Sequence, residues 1–202
     1  MFFRLIIRLS LAALFITAAF PLFSQVVPAA TQSSLPLSVG GGFSDFTSHY
    51  HTTYSGRLEG PTLWIDWNFY DVPKYLSGLG VEVEARDLNY GRTGADAQLR
   101  EDTAEGGAIY TWRHYRRAHL YGKFLLGYGS VDFNVGVPGY AHDSRTMYVP
   151  GAGLEYRVWR NIWARGDYEY QFWSDFFGHR AFEPHGFTVG ALYSFRHVHP
   201  HF

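Results

Sequence analysis

The chain has 202 residues, a formal net charge of -1 and no cysteine. The length favours one folded domain, and the near-neutral charge without a basic run argues against nucleic-acid binding. The missing cysteines exclude disulfides and a cysteine-linked lipid anchor. Aromatic residues make up 19% of the chain and glycine contributes 22 residues, a composition typical of an all-β protein.

Residues 1–24 have the pattern of a secretory signal peptide. Arg4 and Arg8 supply its positive charge, Leu9–Phe23 is almost wholly apolar, and Ser24 is a small residue suited to cleavage before Gln25. The alternative is an uncleaved membrane anchor, although the apolar run is short for a spanning helix. Residues 25–36 are small, polar and proline-containing, which predicts a flexible periplasmic lead-in.

Eight later segments alternate apolar and polar residues with a period of two, which indicates β-strands. In the third, Val81 and Val83 share one face while Glu82, Glu84 and Arg86 share the other. Segments of about ten residues suit strands that cross a bilayer at a tilt. The predicted strands are Leu37–Phe46, Thr62–Tyr70, Leu79–Arg86, Gly106–His114, His119–Ser130, Met147–Val158, Ile162–Trp173 and Gly186–Phe195.

The connections between these segments alternate in length. Three are short to moderate, and four are longer and polar, as in outer-membrane barrels with short periplasmic turns and long external loops. The order predicts an all-β fold, an eight-stranded antiparallel up-and-down transmembrane β-barrel over residues 37–195, with both termini in the periplasm and a tail at 196–202. The short connections are 71–78, 115–118 and 159–161, and the long ones are 47–58, 89–103, 131–146 and 174–185.

The two faces of the strands differ in chemistry. One is aliphatic and aromatic, with Tyr and Trp near strand ends where they suit interface girdles. The other carries five carboxylates, four arginines and one lysine, which we interpret as a sign-balanced lumen charge network that fills a narrow barrel. A soluble, lipocalin-like binding barrel is the alternative, because turning the barrel inside out preserves the pattern. The predicted network is Glu82, Glu84, Arg86, Arg113, Lys123, Glu155, Arg157, Arg165, Asp167 and Glu169.

A family resemblance rests on the signal peptide, the strand pattern, the Gly-Ala-Gly-Leu-Glu-Tyr-Arg strand at 151–157 and the final Tyr193-Ser194-Phe195. Over Leu37–Phe195 the chain resembles the small outer-membrane β-barrel domain family, the outer-membrane protein A-like eight-stranded barrels of Gram-negative bacteria. The resemblance implies a location in the cell outer membrane and an assembly signal at a terminal aromatic residue, Phe195 or Phe202. It also implies outer-membrane lipid, lipopolysaccharide and the barrel-assembly machinery as partners.

Two motifs could carry chemistry. His142-Asp143-Ser144 followed by Glu155 resembles the His-x-Ser pair and Glu of the outer-membrane lipid A deacylases, and a base, a nucleophile and a carboxylate are the parts of acyl transfer. Glu155, however, has the charged parity, whereas such a site should face lipid. His197, His199 and His201 alternate in the tail and could bind a transition metal.

The prediction from sequence is therefore a monomeric, non-enzymatic outer-membrane barrel with a charge-plugged lumen and no cofactor or resident metal. It would act in envelope integrity, in surface contact or, at most, in narrow-pore transport. A lipid A-modifying barrel enzyme and a secreted soluble binding barrel remain the alternatives.

Overall fold

Ten β-strands make up most of the described chain. The computed structural model describes residues 36–50, 54–69, 72–73, 76–90, 99–113, 115–133, 142–176 and 180–195. The predicted signal peptide, the tail and all of the lead-in except Pro36 lie outside these residues. The strands are β1 Leu37–Tyr50, β2 Tyr54–Asn68, β3 Leu79–Tyr90, β4 Leu99–Trp112, β5 Ala118–Phe133, β6 His142–Arg157, β7 Ile162–Tyr170, β8 Phe172–Phe176, β9 Arg180–Phe182 and β10 His185–Ser194.

The ten strands close into an eight-stranded antiparallel barrel, because two positions in its wall are each formed by two consecutive strands. Each of the eight positions is called a stave here. Each of β1 to β6 pairs with its sequence neighbour, β10 joins β1 to β7, and the β5–β6 pairing completes the ring. β7 and β8 form one stave interrupted at Gln171, and β9 and β10 form another interrupted at 183–184. Pro184 has no N–H to donate to a ladder, but its carbonyl accepts a 2.8 Å hydrogen bond from the Gln171 backbone N–H. This bond links the two interrupted staves.

The strand faces have the opposite arrangement from a soluble barrel. Along β3, Glu82, Glu84 and Arg86 are buried in the interior, whereas Val81 and Val83 are 41% and 55% exposed on the outside. A secreted binding barrel would place its charges in water and its aliphatic side chains inside. The structure therefore contradicts the soluble alternative. Among the described residues, none belongs to a helix with the length and apolar character needed to cross a membrane.

The two ends of the barrel differ. At one end, called here the terminal end, lie Leu37, Ser194 and the three short connections predicted from the sequence. At the opposite end, the loop end, the strands run further than predicted: β1 continues to Tyr50, β2 begins at Tyr54 and β4 begins at Leu99. Much of each predicted long loop is therefore paired strand.

An inversion of the alternating pattern explains why these extensions were missed. In the middle of the barrel the outward residues are apolar, but towards the loop end the outward residues become charged and the inward ones apolar. On β3, for example, Asp87 faces outward and Leu88 is fully buried. On β4, Leu99 is buried while Arg100 faces outward. The strand is unbroken, but towards the loop end its outward residues change from apolar to charged and its inward residues change from charged to apolar.

Candidate functional site

The interior at the loop end is filled by apolar side chains. They belong to β1 through β6, β8 and β9 and are almost completely buried. We call this set the apolar layer. Its members are Phe46, Leu58, Leu88, Leu99, Leu125, Val131, Met147, Val149, Trp173 and Phe182.

Below the apolar layer, towards the terminal end, charged side chains meet across the interior. We call this set the ionic cluster. Its arginines on β3 and β7 are the notable feature, because three strands separate β3 from β7 in either direction around the ring. Ion pairs between them therefore span the lumen from opposite walls. The members are Asp66, Glu82, Glu84, Arg86, Glu105, Lys123, Arg165, Asp167 and Glu169.

Arg86 organises the part of the ionic cluster next to the apolar layer. Its Nη1 donates to Glu105 Oε1 at 2.7 Å, its Nη2 lies 2.7 Å from Glu84 Oε1, and the same nitrogen pairs with Glu169 across the lumen. The guanidinium carbon lies 5.1 Å from the centre of the Phe46 ring, within the range of a cation–π contact. Arg86 thus joins the ionic cluster to the apolar layer.

Lys123 lies at the centre of the ionic cluster. Its ammonium is 2.9 Å from Glu82 Oε1, 2.7 Å from Glu84 Oε2 and 3.7 Å from Asp167 Oδ2, and it also pairs with Glu169. The lysine side chain is fully buried. An ammonium without water needs this many acceptors, because removal of its hydration shell is costly.

Arg165 organises the part of the ionic cluster nearest the terminal end. Its Nη2 donates to Glu82 Oε2 at 2.7 Å, and its Nε donates to the Tyr121 hydroxyl oxygen at 2.7 Å. The Tyr121 hydroxyl in turn donates to Asp167 Oδ2 at 2.6 Å. The guanidinium carbon lies over the rings of both Trp64 and Tyr121, at 4.8 and 4.6 Å from their centres. These contacts fix the plane of the guanidinium.

Two glycines on β6 make room for this packing. A Cβ at Gly151 would approach Glu169 Cγ to 2.8 Å and Lys123 Cε to 3.2 Å, and a Cβ at Gly153 would overlap the Tyr121 ring. The β6 wall therefore contributes backbone where the long side chains of β5 and β7 need volume.

Seven of the ten predicted network residues lie in the ionic cluster, and three do not. Glu155 is half-buried and lies directly opposite Arg165 in the β6–β7 register. Arg113 is at the terminal end, where it donates to Asn68 Oδ1 at 2.7 Å and to the Ser77 carbonyl at 3.2 Å. Arg157, also at that end, lies over the Trp163 ring at 5.7 Å. The parity of these three was right, but their depth was not visible in the sequence.

Three buried carboxylates were missing from the predicted network. Asp66 is on β2, where the other inward residues are uncharged. Glu101 lies in the predicted loop at 89–103, and Glu105 lies between that loop and the predicted start of the strand at Gly106. With them, the buried charges among the described residues are seven carboxylates against two arginines and one lysine. The predicted balance of signs is therefore wrong for the buried interior, which carries an acidic excess.

Glu101 is the least compensated of these carboxylates. It is fully buried, and among the described residues it has no ion-pair partner. The Gln171 amide interacts with it, but neither carboxylate oxygen has a hydrogen bond of ordinary geometry. Gln171 itself accepts a 2.8 Å hydrogen bond from Trp173 Nε1. An acidic side chain is thus inserted beside the apolar layer.

Glu84, Glu105 and Glu169 each place a carboxylate oxygen within 4.8 Å of the others, a spacing that can hold a metal ion. Arg86 contacts all three carboxylates, and Lys123 contacts Glu84 and Glu169. A metal ion would be repelled by both cations, so the group is better described as part of the ionic cluster.

The deacylase-like motif is only partly assembled. Ser144 Oγ lies 3.0 Å from His142 Nε2 at the loop end of β6, and both residues are on strand rather than in the predicted loop. Glu155 has the opposite parity, faces the interior and lies thirteen positions beyond His142 on the same strand. It cannot orient this histidine. The histidine tail at 197–201 lies outside the described residues.

The outer surface carries a continuous apolar band. On β5, Leu120, Phe124, Leu126 and Tyr128 are between 50% and 62% exposed. Eight steps at about 3.3 Å along a strand tilted by about 40° correspond to a height of roughly 20 Å, close to the apolar band of a bacterial outer-membrane barrel. Beyond this band, outward charges pair across strands, as Arg100 does with Asp87 at 2.8 Å.

The barrel is closed, its interior is charged and its outside is apolar, which is the arrangement of an outer-membrane β-barrel. The model of the outer membrane protein beta-barrel domain matches residues 15–195. The chain belongs to this family. The family and the exposed apolar band place the protein in the cell outer membrane, as predicted from the sequence. A search of curated proteins finds no significant match.

Solved structures agree with the eight-stranded fold. Neisserial surface protein A superposes with a TM-score of 0.62 at 11% identity, covering 79% of this chain and 97% of that one. Ail, the attachment invasion locus protein of Yersinia pestis, gives 0.57 at 20% identity, covering 78% and 96%. The outer membrane protein OprG from Pseudomonas aeruginosa gives 0.50 at 11% identity, covering 80% and 96%. At these identities the likeness concerns the fold alone.

Proposed function

We propose that the protein is a closed, non-conducting outer-membrane barrel whose interior has a structural role and whose biological contacts are made by its outer surface and loop end. One observation carries this proposal: ion pairs such as Arg86–Glu169 and Arg165–Glu82 join opposite walls of the lumen beneath the apolar layer. An ion crossing the barrel would have to break these pairs and also pass fully buried side chains such as Leu88 and Phe46.

An eight-stranded barrel is just wide enough for its own side chains to fill. Apart from Glu101, the buried charges of the described residues are paired with one another, as in a network that supports barrel geometry. This arrangement favours a structural interior over narrow-pore transport. Envelope integrity and surface contact are the roles that a filled, lipid-facing barrel suits.

The proposed orientation places the terminal end in the periplasm and the loop end outside the cell, as the connection lengths favour. The predicted signal peptide and the barrel-assembly machinery belong to the same route to the membrane. The ring closes through β5 and β6, and among the described strands only β9, at the loop end, has a single pairing partner. Strand pairing within the membrane therefore offers no route to oligomers. We therefore expect a monomer.

Lipopolysaccharide is the proposed neighbour of the outward charges at the loop end. Arg57 donates to Asp45 Oδ1 at 3.0 Å through Nε, and Arg100 lies between Asp87 and Asp102 at 2.8 and 3.0 Å. These groups lie directly beyond the apolar band, at the level of lipid headgroups. Arginine there can exchange a carboxylate partner for a lipid phosphate.

Planar bilayer recordings of the refolded full chain test the closed lumen. We expect no steady ionic current from the wild type. The double variant Arg86→Ala/Glu169→Ala removes one cross-lumen pair and should raise ion leakage, whereas Arg57→Ala/Asp45→Ala removes an equivalent pair on the outside and should not. A steady wild-type channel current would overturn the proposal, as would equal leakage from the two double variants.

The lipid partner has its own test. We expect the unfolding midpoint in vesicles that contain lipopolysaccharide to exceed that in phospholipid vesicles, and the difference to shrink for Arg57→Gln/Arg100→Gln. Equal midpoints in both kinds of vesicle would remove the support for lipopolysaccharide contact at these arginines.

A further inference from the structure

Three polar side chains form a connected chain on the outside of the barrel at the loop end of β5 and β6. Asp132 lies directly opposite His142 in the strand register, and Ser130 lies opposite Ser144. The Ser144 Oγ is 3.0 Å from His142 Nε2, and His142 Nδ1 is 2.6 Å from Asp132 Oδ1. The side chains of His142 and Asp132 are more than half exposed.

The contacts run from the serine hydroxyl to the histidine and from the histidine to a carboxylate, as they do around an activated nucleophilic serine. With its proton on Nδ1, His142 donates to the Asp132 carboxylate, which leaves Nε2 free to accept the Ser144 hydroxyl hydrogen. A nucleophilic hydroxyl needs a base within hydrogen-bond reach and a third group that orients the base. The carboxylate here is Asp132 from the neighbouring strand. It takes the role that the sequence pattern assigned to Glu155.

We propose that Ser144, His142 and Asp132 form a hydrolytic site for an acyl ester of a membrane lipid. This inference is independent of the closed lumen, since the site lies on the opposite face of the sheet. It departs from the sequence-based expectation of a protein without enzymatic activity.

The position of the site indicates the class of substrate. Along β6, Ser144 lies four residues beyond the exposed Tyr148, and along β5, Asp132 lies four residues beyond the exposed Tyr128. Four residues correspond to roughly 13 Å along a strand. Tyrosines at this depth are typical of the membrane interface. The site therefore lies at the headgroup level, like Arg100, which is opposite Asp132 in the β4–β5 register, and a lipid substrate would have to present its acyl ester at that level.

The reaction balances with water as the only co-reactant. The Ser144 oxygen attacks the ester carbonyl carbon while His142 Nε2 takes the hydroxyl proton. The bond between the carbonyl carbon and the alcohol oxygen then breaks, and the proton passes to that oxygen to release the lipid alcohol. Water attacks the acyl-serine with its proton passing to Nε2, and the Ser144 oxygen leaves and recovers a proton. The products are a fatty acid and a lipid with a free hydroxyl.

The test uses the refolded full chain with two readouts. A fluorophosphonate probe followed by peptide mass spectrometry reports whether Ser144 is nucleophilic. Fatty-acid release from vesicles of phosphatidylethanolamine, with or without lipopolysaccharide, reports hydrolysis and distinguishes the two sources of lipid ester. We expect labelling at Ser144 and release from at least one of the lipids.

Matched variants test whether Ser144, His142 and Asp132 act together. Ser144→Ala should abolish labelling and release, and Asp132→Asn should lower the release rate by at least about 100-fold, since the carboxylate fixes the histidine tautomer. Two control variants should leave both readouts unchanged. Ser130→Ala is on the same outward face opposite Ser144, and Glu155→Gln is on the inward face. Heat-modifiable gel migration confirms that each variant is folded.

Two results would overturn the proposal. One is the absence of both labelling and fatty-acid release in the folded wild type with either lipid. The other is labelling or release that persists in folded Ser144→Ala at the wild-type level, because another serine or a contaminant would then carry it.

Discussion

Removal of the ammonium at the centre of the lumen is the sharpest perturbation of the ionic cluster. In Lys123→Met a similar volume is kept, but four carboxylates lose the cation that lies within 4 Å of them. At an effective dielectric constant of about 20, each pair at 4 Å contributes about 4 kcal/mol of Coulomb energy, or roughly 16 kcal/mol for four. Most of this offsets desolvation and the repulsion among the carboxylates. We expect a net loss of about 3–5 kcal/mol, the range for removing one partner of a buried ion pair.

The free energy of unfolding is measured in lipid vesicles by urea titration. Tryptophan fluorescence reports the transition, since the chain has six tryptophans. Arg100→Met is the matched control, because it also replaces a long cation but at the partly exposed loop end, where a loss below about 1 kcal/mol is expected. Adding Glu84→Gln to Lys123→Met should restore part of the loss. A Lys123→Met loss no larger than that of Arg100→Met would refute the view that the ionic cluster supports the barrel.

Three other predictions, with five substitutions between them, test the assignment of faces, the uncompensated buried carboxylate and the packing. Val83→Asp should block membrane assembly, because it places a charge on the lipid face. Glu82→Gln should be much milder, because Gln has the same shape and Lys123 and Arg165 keep other carboxylate partners in an interior with an acidic excess. Gel migration after refolding gives the ranking, and the reverse ranking would mean that the faces are exchanged. Glu101→Gln should leave the unfolding free energy unchanged or raise it by about 1–3 kcal/mol, since it removes an uncompensated buried charge; a clear loss in urea titration would contradict this. Gly151→Val should lower the free energy of unfolding by about 1–3 kcal/mol in the same titration, because it overpacks the interior. Gly106→Val should leave it nearly unchanged, because a Cβ there would meet nothing closer than 3.6 Å.

The sequence predicted the barrel well where one physical contrast held along a whole strand. The middle of β3 alternates aliphatic and charged residues because one face meets lipid and the other the lumen, and its register follows directly. Near Asp87 and Leu88 that contrast inverts, because the outer surface meets polar headgroups while the interior stays dry. A single parity applied to the whole strand therefore ended β3 at Arg86. For the same reason it began β4 only at Gly106, which left Glu101 out of the interior.

The candidate sites depended on strand partners that lie far apart in the chain. Arg86 meets Glu169 because β3 and β7 occupy opposite walls of the ring. His142 meets Asp132 because the β5–β6 register places them opposite each other. The sequence pattern supplied the histidine and the serine but proposed Glu155 as the carboxylate, since spacing along one strand carries no information about the neighbouring strand.

The sequence by itself determined the fold class, the family, the membrane and the face on which most side chains lie, because a period of two needs only local residue order. The tertiary structure decided which charges meet, how deep each lies and that carboxylates outnumber cations in the buried interior. These properties follow from ring closure and register, which bring together residues that no local pattern connects.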